Sequence, residues 1–215
     1  MSKGGAVTGG ERDQTAGDAR PLAIPVRVEL GSRETVLCQP EMEELLAGAD
    51  GIAVGECGCR KKSGACDNPR DVCLALGDEA RDNVERNGWR PIEVSAALAV
   101  LEATHRAGLV HLAFRKPDGT VNLVCSCCSC CCEFLGQLTR SEPQADVVAA
   151  AYVARFDASR CTDCGLCVSR CKFGAFSRSE GTGVVRFEPE RCLGCGLCAS
   201  ACPGGAVELV RRTTA

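Results

Sequence analysis

RCTDCGLCVSRCKFGAF (residues 160–176) and RCLGCGLCASACPGGAV (residues 191–207) are the stretches whose reading decides the fold. They align as an internal repeat of about 31 residues. Cysteines fall at Cys161, Cys164, Cys167 and Cys171 in the first copy and at Cys192, Cys195, Cys198 and Cys202 in the second. Thiolate is the soft ligand that iron-sulfur clusters require, and three cysteines spaced by two residues can wrap three corners of one cubane. The fourth corner then comes from elsewhere. A pair of zinc knuckles is the competing reading. Zinc sites pair two Cys-x2-Cys or Cys/His elements per ion, whereas here a third cysteine follows after two more residues and residues 156–215 hold no histidine. Gly165 and Gly196 stand at matching places, where positive φ lets backbone N–H groups approach cluster sulfides, although plain turn formation asks for the same residue. Between the copies, Gly181-Thr182-Gly183 and Val184–Phe187 predict a turn and a short strand, with Phe156 as its partner.

Residues 155–212 resemble the bacterial dicluster ferredoxin domain. The resemblance implies two [4Fe-4S] clusters in which the fourth cysteine of each run ligates the other cluster. One cubane would take Cys161, Cys164, Cys167 and Cys202, the other Cys192, Cys195, Cys198 and Cys171. Lys172 stands where the family usually has proline, as Pro203 does in the second copy. Proline there shapes a turn and does not bind iron, so the departure bears on the loop and not on the ligand.

Nineteen cysteines in 215 residues argue for two domains and against a secreted disulfide scaffold, because the first twenty residues are polar and glycine-rich. Those residues predict a disordered tail. No apolar run approaches the length of a membrane span, and reduced thiols with metal clusters suit the cytoplasm. Formal net charge is −3, and each oxidised cubane with its four thiolates adds about −2 more. An acidic protein of this kind is expected to dock basic patches on a redox donor and acceptor and to disfavour nucleic acid. Arg60-Lys61-Lys62 and Arg211-Arg212 read as solvated surface.

Residues 21–154 read as a mixed α/β, cysteine-rich domain. Ile24–Leu30 predicts a strand, Pro40–Ala47 a helix opening on acidic residues, and Gly51–Gly55 another strand. That strand delivers Cys57, Cys59, Cys66 and Cys73, with the first pair on one face if the backbone is extended. Trp89 to Ala107 predicts a helix ended by Gly108, with Val94, Leu98 and Leu101 on one face. Leu109–Phe114 and Thr120–Val124 predict a hairpin around Lys116-Pro117-Asp118-Gly119. Helix followed by hairpin suggests a winged-helix unit and so a DNA-binding redox sensor, against which stands the shortage of basic residues on the helix.

After the hairpin come Cys125, Cys127, Cys128, Cys130, Cys131 and Cys132. Adjacent cysteines in an extended segment face opposite ways, so this run is expected to serve two sites or one enlarged cluster. With Cys57, Cys59, Cys66 and Cys73 they make ten thiols, for which zinc ligation and sulfur chemistry are the alternatives. Cys38 reads as a small buried residue, and His105 and His111 as surface or satisfied core histidines.

GECGCRKKSGACDNPRDVCLALG, the AGLVH segment and VCSCCSCCCEFL together resemble a largely uncharacterised family of ferredoxin-type iron-sulfur proteins of anaerobic and facultative microbes. Its Cys-x-Cys-Arg and cysteine-rich elements precede a C-terminal dicluster domain; Ser126 stands where asparagine is usual. The resemblance spans residues 24–212 and implies an electron carrier or a component of an oxidoreductase complex. The expectation is therefore an α+β chain: tail 1–20, cysteine-rich domain 21–154 with at least one further metal site, and ferredoxin domain 155–215. Electron transfer is favoured over catalysis, since no Ser-His-Asp triad, P-loop or dinucleotide loop is present. The alternatives are a redox-enzyme subunit reducing a substrate at its N-terminal cluster or thiols, and the sensor.

Overall fold

The computed structural model describes residues 34–139 and 147–213; the expected tail and the Ile24–Leu30 strand lie outside them. In chain order the elements are β1 (Glu34–Leu37), α1 (Gln39–Ala47), β2 (Ile52–Glu56), α2 (Gly58–Ser63), β3 (Asp71–Leu76), α3 (Asp78–Asn87), β4 (Arg90–Pro91) and α4 (Val94–Arg106). They continue with β5 (Val110–Arg115), β6 (Val121–Cys127), α5 (Glu133–Leu138), β7 (Val147–Val148) and β8 (Tyr152–Phe156). The last are α6 (Leu166–Arg170), β9 (Phe176–Arg178), β10 (Val185–Phe187), α7 (Leu197–Ala201) and β11 (Val207–Arg211).

Seven strands form one sheet in the order β4-β2-β3-β6-β5-β1-β7. Its pairings are antiparallel except β1 with β7. Strand alternation divides its side chains between two faces. Ile52, Val54, Leu74, Leu76, Ala113 and Val124 meet Met42 and Leu46 of α1 and Ala97 and Leu101 of α4 in the main apolar core. Leu74 pairs with Val124 across β3 and β6, and one residue further along each strand Cys73 and Cys125 face the other way. Val36, Val110 and Leu112 turn to that second side too, where they pack with Cys127, Cys132 and Leu135.

Several local expectations change. Arg90–Pro91 is a short strand on β2, so α4 begins only at Val94, with Glu93 in extended backbone just before it. The β5–β6 hairpin does form, with Thr120 N donating to Asp118 Oδ1 (2.8 Å) in its turn. It occupies the interior of the sheet and does not project as a wing. Val185–Phe187 pairs with Phe176–Arg178, while Phe156 pairs with Val207 in the β8–β11 ribbon. These two ribbons, α6 and α7 make the C-terminal part.

That part packs on the sheet through Phe173, Leu193, Cys195 and Leu197, which share one core with Val36, Val110, Leu112 and Leu135. Polar ties reinforce it. Ala150 N donates to Leu193 O (3.0 Å), Arg170 Nη1 to Arg106 O (2.9 Å), and His105 Nε2 meets Ser200 Oγ at 2.8 Å. Among the described residues no helix is long and apolar enough to cross a membrane.

Candidate metal centres

Each cysteine loop of the C-terminal part ends in a short helix whose N-cap is the repeat glycine, Gly165 at φ 79° and Gly196 at φ 82°. The residues two positions earlier, Asp163 (φ 50°) and Gly194 (φ 79°), also take left-handed backbone. Two such residues per loop curl the chain, and the expected glycines are one of the two in each. Asp163 compensates for its strained backbone by accepting a hydrogen bond from Val185 N (2.8 Å). At Gly194 a Cβ would lie 2.1 Å from Tyr152 O, so only glycine fits.

The two loops differ in their surroundings. Thr162, Asp163 and Cys164 are exposed, whereas Leu193 through Cys198 are all buried. Cys171, from the end of the first run, lies close enough to Cys195 and Cys198 to act on their ionisation, as does Cys192. Cys167 is neighboured in the same way by Cys161 and Cys164, and Cys202 lies in the same core as Cys161 and Cys167. Burial raises the Cys195 thiol to about 12 and raises Cys198 further still. A bound metal has to displace those protons; what fits a cluster is the donor type, soft cysteine sulfur throughout.

In the N-terminal part the ten predicted thiols separate into two groups. Strand β6 ends at Cys127, so alternation applies to Cys125, Ser126 and Cys127 alone and the remaining cysteines lie on a turn and the start of α5. Cys125 and Cys127 project on the second face and Ser126 on the first, where its hydroxyl meets Thr104 Oγ1 (3.1 Å) and His111 Nδ1 (3.2 Å). Cys57 immediately precedes α2 and Cys59 lies in its first turn, so the extended pairing of these two does not form. Cys57, Cys73, Cys125, Cys127, Cys132 and Cys59 form a chain of contacting thiols, with Cys127 and Cys132 sulfurs 3.3 Å apart. Their ionisation is uneven. Hydrogen bonds from Cys127 lower Cys125 and bring Cys132 down to about 6, while Cys127 is itself raised.

These six thiols line a cavity of about 670 Å³, together with Trp89, Phe114, Phe134 and Arg60. Trp89 reaches it because Gly55 has no side chain; a Cβ there would lie 2.1 Å from the indole. The other four thiols, Cys66, Cys128, Cys130 and Cys131, have sulfurs all within 4.8 Å of one another.

Arg60 was expected at the surface and is completely buried. Its Nη1 donates to Pro69 O (2.8 Å) and its Nη2 to Ser126 O, and among the described residues no carboxylate pairs with it. Burial works against its charge, but the neighbouring Cys57 and Cys128 hold it. A buried cation calls for an anionic counterpart, and Cys57, Cys128 and Cys66 are the groups beside it that favour its charge. The clue in the sequence was the arginine's place directly after Cys57-x-Cys59; the adjacent Lys61 and Lys62 gave none. Cys38 is buried as expected, its thiol donating to Glu41 Oε2 (3.1 Å) away from both groups. His111 is buried with Nε2 unbonded among the described residues, and its ring stacks on His105 with centroids 6.0 Å apart.

Residues 160–206 match the family model of the 4Fe-4S dicluster domain. This segment thus defines a C-terminal ferredoxin-type domain and supports an iron-sulfur electron-transfer role. No curated protein matches the chain.

Proposed function

We propose that this chain is an electron-transfer protein in which two [4Fe-4S] clusters in a C-terminal domain, residues 155–215, exchange electrons with a further iron-sulfur cluster in the cysteine-rich domain, residues 21–154. Cys161, Cys164, Cys167 and Cys202 hold the outer cubane, and Cys192, Cys195, Cys198 and Cys171 the inner one. The further cluster sits in the cavity lined by Cys57, Cys59, Cys73, Cys125, Cys127 and Cys132.

One observation carries this reading. Cys195 and Cys171 of the inner set belong to the same apolar core as Cys127 and Cys132 of the cavity. Electrons received at the exposed Cys164 loop would pass to the inner cubane and then through this shared core. The clusters supply one-electron chemistry; the chain supplies thiolate ligands, backbone N–H groups and burial, which set their potentials. The donor and acceptor are redox proteins, and the compartment is the reducing cytoplasm.

A second reading is favoured by the cavity itself. Exposed Cys59 and the aromatic wall of Trp89, Phe114 and Phe134 would let a small substrate meet the reduced centre, making the chain a subunit of a redox enzyme.

Iron and acid-labile sulfide, counted per full-length chain purified without oxygen, test the proposal. The expected result is more than the about eight of each that two cubanes hold. The excess sulfide disappears in Cys132→Ser while the two-cubane signal persists in electron paramagnetic resonance. Eight of each, unchanged in the variant, would leave a two-cluster ferredoxin with an appended thiol domain.

A further inference from the structure

We propose that Cys66, Cys128, Cys130 and Cys131 hold one tetrahedrally coordinated divalent metal ion, zinc or iron, as a site separate from any cluster. The separations decide this. Thiolates bound at about 2.3 Å to one tetrahedral ion lie about 3.8 Å apart. The sulfurs of Cys66 and Cys128 are 3.8 Å apart and those of Cys66 and Cys131 3.6 Å, and all four lie within 4.8 Å. A cubane puts four irons and four sulfides between its thiolates, which then project from the corners of the cube and stand much farther apart. The dicluster cysteines accordingly form no such tight set among the described residues.

The surroundings fit a dianionic centre, which one divalent ion and four thiolates make. Buried Arg60 neighbours Cys128 and Cys66, and Asn68 Nδ2 donates to Cys66 Sγ (3.2 Å), the outer-sphere support that metal thiolates use. Cys66 comes from the α2–β3 loop and the other three from the turn after β6. The ion therefore fastens two loops more than sixty positions apart in sequence, and Cys128 and Cys131 also belong to the cavity wall. Its role is to hold that wall and, with it, the position of Arg60. Zinc would make the site purely structural, whereas iron would add a one-electron centre beside the cavity.

The site goes beyond the electron-transfer reading and stands or falls without it. Full-length protein prepared without oxygen is assayed for zinc, iron and acid-labile sulfide alongside Cys66→Ser and Cys130→Ser. The expected result is the loss of about one metal ion per chain with sulfide unchanged. The element lost identifies the occupant. Sulfide falling together with about four irons would mean a cubane and would overturn the proposal, as would unchanged metal content. Should both variants fail to fold, the wild-type chain still decides. Zinc-edge X-ray absorption should show four sulfurs near 2.3 Å and no metal neighbour, or Mössbauer spectra should show a high-spin tetrathiolate iron outside the clusters. The absence of both signals counts against the site. A missing third cluster, by contrast, would appear as a low sulfide count in the wild type and would leave the single ion untouched.

Discussion

The two copies of the cysteine repeat share a spacing and a local backbone, yet one faces solvent and the other forms part of the protein's interior. Cys164 and its neighbours are exposed, while residues Leu193–Cys198 are buried against β8 and the second face of the sheet. Equal ligand geometry thus does not imply equal electrostatics. A cluster of the inner loop loses solvent stabilisation of its charge, so the two cubanes should differ in potential and in access to partners.

The largest test of that asymmetry is removal of one ligand from each loop. Cys195→Ala should eliminate the inner cubane, about four irons, and lower thermal stability markedly, because the loop is part of the core shared with Val36 and Leu112. Cys164→Ala should cost a similar amount of iron with a smaller stability loss. Equal thermal midpoints would break the comparison.

The inner loop leans on the thiol-lined face, so weakening that face comes next. Arg60→Met should destabilise the metal-loaded protein by about 3 kcal/mol, because the metal-bound thiolates proposed beside it are left buried without their cation. It should also lower the metal content of the N-terminal domain while the outer cubane is retained. Denaturant unfolding with metal analysis would show whether the loss stops there.

A backbone test contrasts Gly194→Ala with Gly165→Ala. The first puts a methyl 2.1 Å from a backbone oxygen, the second 2.6 Å from the end of the Arg178 side chain, which can shift at the cost of its hydrogen bond to Asp163 O. Costs of about 3 and about 1 kcal/mol are expected, since both strain positive φ but only one overpacks a rigid wall. Similar losses in calorimetry would mean that the inner loop has room to move.

The smallest effect concerns pH. Burial lowers His111 to about 3, so the folded chain keeps it neutral while the unfolded chain protonates near the ordinary value of about 6.5. Its contribution to stability is full above about 6.5 and is lost as pH falls from there toward 3. Between pH 7.5 and 5.5 the unfolding midpoint should decline more steeply in the wild type than in His111→Asn.

Sequence reading reached helix α1, the β5–β6 hairpin and the two cysteine loops because each is a local pattern. Helix α3 escaped it. Ala80 and Val84 are its main apolar contacts with the sheet, too few to give a hydrophobic stripe in DEARDNVERN. The sequence pattern starts helix α4 too early because Ile92 extends its apolar period, while the pairing that makes Arg90–Pro91 a strand comes from distant β2.

What the sequence alone determined was the chemistry of each short segment. The repeated spacing from Cys161 to Cys171 and from Cys192 to Cys202 specifies thiolate loops, and alternation in β6 separates Cys125 and Cys127 from Ser126. Tertiary structure decided how these segments combine: four thiols within reach of one ion, six around a cavity, Arg60 between them, and one cysteine loop turned inward. Spacing along a chain constrains residues within a loop or a strand. Groups sixty residues apart meet only through strand register and the burial of a shared face, and those are properties of the whole sheet.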